Sequence, residues 1–457
     1  MIVMKFGGTS VESAAAIRRV AAIVQARLER QPVVVVSAMG KTTNTLLAMA
    51  ADAVEGKRER ALEQLRALRE YHVAEARPLV GSGQNPEFES LIHEHFEELG
   101  QLISGLAVMG ELTPRSIDNI SSYGERLSSR IVTLAFREAG MDAVHADSRR
   151  LILTDRRHTQ ATPIYPETYA RLGEEVAPLA RAGKVVVMGG FIGATEDGVT
   201  TTLGRGGSDL TAAIVGAGIG AEEIQIWTDV DGMMTADPNS VPEARRLKVI
   251  SFSEAAELAY FGAKVLHPAT VLPAVEKNIP VLILNSRRPD ALGTRIIREA
   301  VPSANPVKSI ACKKNITVVN IHSTRMLMAH GFLRRIFEVF DRYETPVDVV
   351  STSEVSVSAT IDSSRRLAEI RAELEQFAQV WVEHNRAIVC VVGDNIRCTP
   401  GIGARVLSAL GPVNLLMISQ GGSQWNLSVV VAEADVLQAV RLLHNEFFRE
   451  LDPAVFE

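Results

Sequence analysis

Two patterns of apolar and polar positions follow one another along the chain. Up to about residue 285, short runs that are apolar on both faces alternate with segments in which apolar residues recur at the spacing of a helix. The apolar runs are residues 2–4, 33–36, 185–188, 224–227 and 281–284, and the last of them is expected to complete the sheet. Strands buried on both faces are typical of a parallel sheet covered by helices. We therefore predict an α/β sandwich, in which ligands bind at the carboxyl ends of the strands.

The pattern after residue 306 predicts two smaller units. The first has the order strand, helix, two strands, helix and strand, which is a ferredoxin-like βαββαβ unit. The second lacks its last strand, and residues 308–312 are the candidate for it, which would insert the first unit inside the second. Three prolines and one glycine between residues 286 and 306 indicate a linker. The predicted domains are residues 1–287, a linker at 288–307, a unit at 315–384, and a unit at 308–313 plus 385–457.

Composition and charge narrow the class of protein. The chain has 457 residues, of which 46% are hydrophobic and 22% are charged, as in a globular protein with full-sized cores. A net charge of −6 without a basic stretch argues against nucleic acid as a partner. No segment has the ~20 apolar residues of a membrane span, and the N-terminus does not have the pattern of a signal peptide. Three cysteines fit neither a disulfide framework nor a metal site, so we expect a cytoplasmic protein.

Two polar clusters follow the first two predicted strands. Lys5 precedes Gly7 and Gly8, and free backbone N–H groups at a helix N-terminus beside a lysine favour a phosphate. The alternative is an ordinary glycine turn with a surface lysine. Residues 37–44 contain a Gly-Lys-Thr sequence, but Val35 replaces the first glycine of the GxxxxGK[ST] nucleotide loop. Hydroxyl groups there could hold a small polar ligand, although a helix cap is the simpler explanation.

Residues 202–209 and 227–232 form two further clusters. In the former, three glycines surround Arg205, whose planar guanidinium suits a carboxylate or a phosphate. In the latter, Asp229 and Asp231 do not follow the order of a calcium loop, which leaves a nucleotide-facing loop or an ordinary turn. Two anion-binding loops and several lone cations, without a convincing metal cluster or nucleophile triad, indicate phosphoryl transfer. That reaction requires positioning and positive charge more than covalent catalysis.

In this order the clusters resemble the aspartokinase family of the amino-acid kinase superfamily. The matching segments are KFGGTS at 5–10, SAMGKTTN at 37–44, SYGERLSS at 122–129, GGFIG at 189–193, TTLGRGGSD at 201–209, WTDVDG at 227–232 and FGAKVLHP at 261–268. The two small units resemble paired ACT domains, so the resemblance covers nearly the whole chain. It implies an amino-acid-kinase sandwich followed by two ACT domains. The implied reaction is the phosphorylation of the side-chain carboxylate of L-aspartate by ATP, which begins lysine, threonine and methionine biosynthesis.

The resemblance also implies roles for individual residues. The catalytic residues would be Lys5, which stabilises the transferring phosphoryl group, Asp209, which orients the cations, and Arg205. The implied substrate-binding residues are Ser37, Thr43 (or its neighbour Thr42), Glu125, Phe191, Arg205 and Ser208, with Arg205 and Glu125 holding the carboxylate and the ammonium. The implied cofactor-binding residues are Lys5, Gly7, Gly8, Thr228, Asp229, Asp237 and Lys264, with Mg²⁺ bridging the phosphates of ATP. Met234 and Asn239 replace an aromatic residue and an arginine that are common in the family, which implies fewer nucleotide contacts.

Two segments of the first small unit resemble the effector sites of lysine-sensitive aspartokinases. The residues concerned are Met326, Gly331, Phe332, Leu333, Asp348, Ser353 and Glu354. The Asp348 carboxylate could receive an effector's ammonium, whereas the methionine and phenylalanine fit a hydrophobic core equally well. Lysine is the expected effector and threonine the alternative. Because ACT units usually pair edge to edge, a homodimer or a dimer of dimers is expected.

Two competing functions stay open at this point. One is a relative of the same superfamily that phosphorylates acetylglutamate, glutamate or a nucleotide, against which FGAKVLHP and the paired C-terminal units argue. The other is a non-catalytic amino-acid sensor with the same fold, against which the presence of Lys5, Glu125, Arg205 and Asp209 argues. A fused homoserine dehydrogenase is not expected.

Overall fold

The computed structural model describes residues 1–81, 85–262, 268–324 and 330–457. They form two units, one of Met1–Gly232 with Val265–Arg298, and one of Met233–Lys264 with Glu299–Glu457. The strands are β1 Ile2–Phe6, β2 Pro32–Val36, β3 Ala143–Ala146, β4 Val185–Gly189, β5 Ile192–Ala194, β6 Thr200–Thr202, β7 Glu223–Thr228, β8 Val249–Ser251, β9 Val281–Asn285, β10 Thr294–Ile297, β11 Val307–His322, β12 Val350–Thr352, β13 Ser356–Ile361, β14 Gln379–Gly393, β15 Met417–Gln420 and β16 Asn426–Ala432. The α-helices are α1 Ala14–Gln25, α2 Thr42–Val54, α3 Arg58–Ala76, α4 Pro86–Met109, α5 Pro114–Glu138, α6 Ser148–Leu151, α7 Tyr165–Arg171, α8 Ala177–Arg181, α9 Gly207–Ile219, α10 Phe252–Tyr260, α11 Leu272–Glu276, α12 Phe332–Arg342, α13 Leu367–Leu374, α14 Ile402–Ala409 and α15 Val436–Phe447.

The central sheet of the first unit is mainly parallel, as the apolar runs predicted. Its strands lie in the order β3-β4-β2-β1-β7-β9-β10, and all neighbours are parallel except β9 and β10. Strand β2, with the sequence PVVVV, is buried at every position. It lies between β1 and β4, where a strand buried on both faces belongs.

Strand β10 differs from the sequence-based expectation. Residues 281–284 were expected to complete the sheet, but Thr294–Ile297 adds an antiparallel strand beside them, within the stretch expected to be a linker. The chain reverses through Gly293, which has a φ of +67°. A Cβ there would lie 2.1 Å from the carbonyl oxygen of Ile283, so only glycine fits. Pro289 and Gly293 therefore mark a turn onto a short strand.

Helix α5 is largely buried in the first unit and carries residues of the site described below. Its N-cap is Thr113, whose side chain accepts a hydrogen bond from the Ser116 amide at 3.1 Å, and Pro114 occupies the first helical position. Most residues between Ile120 and Phe136 are buried. The side chains on this helix are therefore held on a rigid element.

The second unit contains a six-stranded antiparallel sheet in the order β12-β13-β11-β14-β16-β15. Strands β11 and β14 pair with each other along most of their length, and each contributes residues to both halves of the sheet. The pairing predicted for residues 308–312 is present, because Ser309–Lys313 lie opposite Val392–Ile388. Strands β12, β13, β11 and β14 therefore lie in the 2-3-1-4 order of one βαββαβ unit. Strands β15, β16, β14 and β11 lie in the same order and form the other unit.

The sequence predicted two separate strands where β11 is continuous, and likewise for β14. The registers shift near the middle of their pairing, where Asn315 and Asn385 have φ values of +58° and +56°. Asparagine tolerates this left-handed conformation better than most residues. The break in the sequence pattern is therefore an irregularity inside one strand. In the described part of the chain, no helix is long and apolar enough to cross a membrane.

Candidate active site

Four neighbouring strands of the first unit end in the segments that the sequence pattern singled out. Gly7 follows β1, Ser37 follows β2, Gly190 follows β4 and Asp229 follows β7. Because β4, β2, β1 and β7 are adjacent and parallel, their carboxyl ends meet at one edge of the sheet. This is the edge at which open α/β sheets bind their ligands.

A cavity of about 320 Å³ is lined by residues from β1, from the segments after β2 and β4, and from α2, α5, α9 and the loop before α9. Every residue predicted to be catalytic or to bind the substrate contributes to it. Its lining residues are Lys5, Ser37, Thr43, Glu125, Phe191, Gly204, Arg205, Gly206, Gly207, Ser208 and Asp209.

Lys5 and Asp209 form an ion pair in the cavity, with 2.7 Å between Nζ and Oδ1. Both side chains are largely buried, at 11% and 14% exposure. Asp209 is in the first turn of α9, whose N-terminal N–H groups favour an anion. The pair therefore holds a cation beside a helix N-terminus, an arrangement suited to a phosphoryl group.

Glu125 is a buried carboxyl group with one unused oxygen. Its Oε1 accepts a hydrogen bond from the Ala38 amide at 3.2 Å, and its Oε2 has no hydrogen-bond partner among the described residues. Burial raises the pKa of Glu125 to about 8, against the opposing effect of the Ala38 amide. A carboxyl group with a free oxygen in a cavity is suited to accept hydrogen bonds from an ammonium group.

Arg205 and Phe191 form another part of the lining. Arg205 is exposed and makes no ion pair with a carboxylate of the described residues, so its guanidinium is available to an anion. Phe191 has a φ of +66°, which is unfavourable for a bulky residue. Its amide donates to Thr211 Oγ1 at 3.0 Å, and its carbonyl accepts from the Leu203 amide at 2.9 Å. These two hydrogen bonds hold the strained residue in place.

The structure distinguishes the two adjacent threonines of the second cluster. Thr42 is buried, and its hydroxyl donates to the Met39 carbonyl at 2.6 Å. Thr43 lines the cavity. Of the two, Thr43 is therefore the one placed to contact a ligand.

The residues expected at the nucleotide lie partly in the first unit. Thr228 ends β7, and its hydroxyl donates to Asp229 Oδ1 at 3.2 Å. The Gly7 amide, expected to contact a phosphate, instead donates to the Trp227 carbonyl at 3.2 Å and is not free in this structure. A Cβ on Gly8 would lie 3.0 Å from two carbonyl oxygens, which explains a glycine at that position.

Asp237, another residue expected at the nucleotide, belongs to the second unit. Asp237 accepts hydrogen bonds at 3.0 Å from the backbone and side-chain amides of Asn239. Lys264 lies outside the described residues. Among those that are described, no group of three or more His, Cys, Asp or Glu residues could hold a metal ion.

The expected effector residues that the structure describes lie in the second unit, around α12 and the β12–β13 turn. Phe332 is 7% exposed and belongs to a hydrophobic core, as the alternative interpretation of this segment allowed. Gly331 precedes α12, and Leu333 and Glu354 are exposed. The Ser353 amide donates to the Ser356 carbonyl at 2.8 Å in the turn. Met326 lies outside the described residues.

Asp348 already has partners within the protein. Its Oδ1 accepts from Lys313 Nζ at 2.9 Å and from the Tyr260 hydroxyl at 2.7 Å, and its side chain is 3% exposed. Its Oδ2 has no partner among the described residues. An effector's ammonium would therefore share this carboxylate with Lys313 or displace it. Lys313 and Tyr260 were not predicted from the sequence, because neither lies in a recognisable motif.

Two further polar residues near the cavity were also missed. Thr211 Oγ1 accepts from the Phe191 amide and donates to the Gly207 carbonyl at 2.8 Å. Asp118 is fully buried on α5 and accepts hydrogen bonds from Thr202 and from a neighbouring loop. Its spacing of seven residues from Glu125, which places both on one helix face, is the signal that could have identified it.

Comparison with known proteins identifies the family. Residues 1–285 match the amino acid kinase family, and residues 389–447 match an ACT domain. The chain is 39% identical over 469 residues to the chloroplastic aspartokinase 2 of Arabidopsis thaliana, a match that covers 99% of this chain and 85% of the relative.

Two solved structures of Escherichia coli aspartokinase III are also similar. The complex with aspartate and ADP superposes with a TM-score of 0.85 at 36% identity, and the complex with lysine and aspartate with a TM-score of 0.83 at 35% identity. Each match covers 98% of this chain and 100% of the other. The predicted amino-acid-kinase fold with a C-terminal ACT domain is confirmed. The chain belongs to the aspartokinase family.

Proposed function

We propose that this protein transfers the γ-phosphoryl group of ATP to the β-carboxylate of L-aspartate, giving 4-phospho-L-aspartate and ADP. The single observation that carries the proposal is the cavity that joins the Lys5–Asp209 pair to Glu125 and Arg205. Among the described residues, Glu125 Oε2 has no hydrogen-bond partner and Arg205 has no ion-pair partner. Beside the Lys5–Asp209 pair, the Arg205 guanidinium and the Glu125 carboxyl group match the α-carboxylate and the ammonium of aspartate. The related Escherichia coli enzyme has been solved with aspartate and ADP bound.

The chemistry requires positioning more than proton transfer. An oxygen of the β-carboxylate attacks the γ-phosphorus, and the bond from that phosphorus to the oxygen bridging it to the β-phosphate breaks, releasing ADP. A carboxylate is ionised at neutral pH, so no general base has to generate the nucleophile. Lys5, oriented by Asp209, offsets the negative charge that accumulates as the two anions approach.

Substrate orientation follows from the charges in the cavity. In this proposal Arg205 holds the α-carboxylate and Glu125 accepts from the ammonium, which leaves the β-carboxylate directed at Lys5. The cavity residues Ser37, Thr43, Phe191 and Ser208 surround the remaining part of the substrate. Glu125 must be ionised to pair with an ammonium, so aspartate binding is linked to the loss of its proton.

The nucleotide is proposed to bind in the first unit beside Thr228 and Asp229, with Gly8 as a further contact, whereas the roles of Asp237 and Lys264 stay predictions. Mg²⁺ is proposed to accompany ATP, and it would supply positive charge at the phosphates. When bound, Mg²⁺ neutralises charge on the transferring group.

Trapping of the product tests the reaction. Purified protein supplied with Mg²⁺, ATP, L-aspartate and hydroxylamine should form aspartyl hydroxamate, because hydroxylamine captures the mixed anhydride. Lys5→Ala should lower kcat by about a hundredfold or more, since it removes the cation at the transferring group. Lys184→Ala, which removes an exposed lysine paired with Asp142, should leave kcat unchanged.

Three outcomes are decisive. Absence of hydroxamate with the wild-type protein would exclude the proposed reaction and favour a non-catalytic sensor. A normal kcat for Lys5→Ala would remove Lys5 from the mechanism. Activity on glutamate or acetylglutamate in place of aspartate would assign a different substrate.

Regulation by an amino acid is proposed for the second unit. Lysine is the proposed effector, bound near Met326, Gly331, Phe332, Leu333, Asp348, Ser353 and Glu354, with threonine as the alternative. The lysine complex of the related Escherichia coli enzyme supports this choice. A homodimer or dimer of dimers through the ACT units is proposed as well, and light scattering measures its mass. The cytoplasmic location stays a prediction.

A further inference from the structure

We infer that Asp118 is a positioning residue for substrate binding, which fixes Arg205 through the segment that precedes it. The inference rests on the proposed function, in which Arg205 holds the α-carboxylate of aspartate. Asp118 does not line the cavity and would not touch the substrate.

Asp118 is a buried acceptor for three donors. Its side chain is 0% exposed and accepts from the Thr202 hydroxyl at 2.5 Å, from His158 Nδ1 at 2.7 Å and from the Thr159 amide at 2.9 Å. A charged acceptor makes strong hydrogen bonds, and an unpaired buried carboxylate is costly. The carboxylate therefore holds the end of β6 and the 158–159 loop together on α5.

The residues that Asp118 holds also contact the backbone next to Arg205. Thr202 is the last residue of β6, three residues before Arg205, and its carbonyl accepts from the Ala161 amide at 2.9 Å. Gly204 has a φ of +74°, and a Cβ there would lie 3.2 Å from the Thr159 carbonyl oxygen. The loop held by Asp118 thus packs against the residue that precedes Arg205.

Arg205 depends on this backbone support. Its side chain is exposed, and no described carboxylate pairs with it, so no ion pair fixes the guanidinium before substrate binds. The part of Arg205 that the described contacts support before substrate binds is therefore its backbone, from which the guanidinium must reach the substrate. A displacement of about 1 Å in a positioned group is enough to weaken its contribution severely.

Helix α5 carries both Asp118 and the residue that is proposed to bind the ammonium end of the substrate. Asp118 and Glu125 are seven residues apart, two turns on one face of the helix. One rigid element thus carries the group that accepts the substrate's ammonium and the group that positions the cation for its α-carboxylate. This arrangement sets the separation of the two binding groups.

The test separates aspartate binding from nucleotide binding. Asp118→Asn should raise the KM for aspartate about tenfold, because it removes the charge that organises the loop, while the KM for ATP changes less than about twofold. Asp142→Asn, at an exposed acid of the same unit, is the matched control and should change neither. Equal increases in both KM values would indicate a general structural defect and overturn the inference.

A double-mutant cycle tests whether Asp118 acts through Arg205. In an Arg205→Ala background, Asp118→Asn should have little further effect on the KM for aspartate, because the group that it positions is gone. A full tenfold effect in that background would overturn the inference. Since wild-type activity on aspartate is measured in the same series, failure of the proposed function is distinguishable from failure of this inference.

Milder variants keep the test decisive if Asp118→Asn does not fold. Thr202→Val and His158→Ala each remove one donor to Asp118, and His158 is partly exposed. Both should raise the KM for aspartate more than the KM for ATP, by smaller factors than Asp118→Asn. Folded variants with an unchanged KM for aspartate would overturn the inference.

Discussion

The protonation state of Glu125 depends on its surroundings. An exposed glutamate is ionised at pH 7, but this one is buried, which raises its pKa to about 8. At pH 7 the free protein therefore holds Glu125 mostly protonated. An ammonium at its unused oxygen favours the charged form and lowers the pKa again. Substrate binding and proton release are consequently linked.

This linkage predicts a pH dependence. At pH 7, binding of aspartate should release about one proton, and the KM for aspartate should fall as the pH rises from 6 to 8. Above pH 8 the release should diminish, because Glu125 is then ionised before binding. Calorimetry in two buffers with different ionisation enthalpies measures the proton count.

Two variants complete this test. Glu125→Gln should abolish the proton release and raise the KM for aspartate, whereas Glu138→Gln, at the exposed end of the same helix, should change neither. Aspartate binding without proton release in the wild-type protein at pH 7 would contradict the assignment of Glu125 to the ammonium.

Among the elements, α9 shows how packing shapes the cavity. Its first residue is Gly207, and a Cβ there would lie 2.8 Å from Phe191 Cδ2, 3.1 Å from Leu203 Cβ and 3.2 Å from Phe191 Cα. The helix N-terminus can therefore approach Phe191 only because residue 207 lacks a side chain. The strained Phe191 backbone and the start of α9 thus depend on each other.

Gly207→Ala should lower the free energy of unfolding by about 1–3 kcal/mol, because the added methyl group overpacks this contact. It should also raise the KM for aspartate by displacing Phe191. Gly105→Ala is the matched control, since a Cβ on this residue of α4 meets nothing within 4 Å. That change should instead raise the free energy of unfolding by about 0.5–1 kcal/mol. Denaturant unfolding and initial-rate kinetics check both variants, and equal behaviour would refute the packing argument.

At the scale of the whole molecule, an effector bound in the second unit must alter catalysis in the first. It can shift an equilibrium only by its different affinity for two states. Asp348 is a candidate for the residue whose contacts make the effector's affinity differ between the two states, because Lys313 and Tyr260 already bind one of its oxygens. An effector's ammonium would alter those contacts in the state that it binds.

Glu354→Lys should weaken inhibition by lysine with little loss of uninhibited activity. The variant places a cation in the β12–β13 turn, where it repels a cationic effector, and Glu354 is exposed, so folding should be preserved. Glu375→Lys, an exposed acid at the end of α13, is the control. Dose–response curves for lysine and threonine measure the effect, and an unchanged inhibition constant for lysine would argue against this effector site.

Much of the architecture and of the candidate site could be predicted from local sequence. Apolar runs predicted the parallel strands, and glycines and polar residues at strand ends predicted the segments that line the cavity. Such features are encoded within a few neighbouring residues, since burial on both faces and turn conformation each restrict local residue choice.

Only the tertiary structure decided which distant groups meet. Asp118 contacts Thr202 across 84 residues, and Asp348 meets Lys313 across 35 and Tyr260 across 88. It also decided that Thr43 lines the cavity while Thr42 turns inward, and that Glu125 is buried deeply enough to hold a proton. A local pattern specifies where a strand or turn forms, whereas these pairings and the pKa depend on how the elements pack.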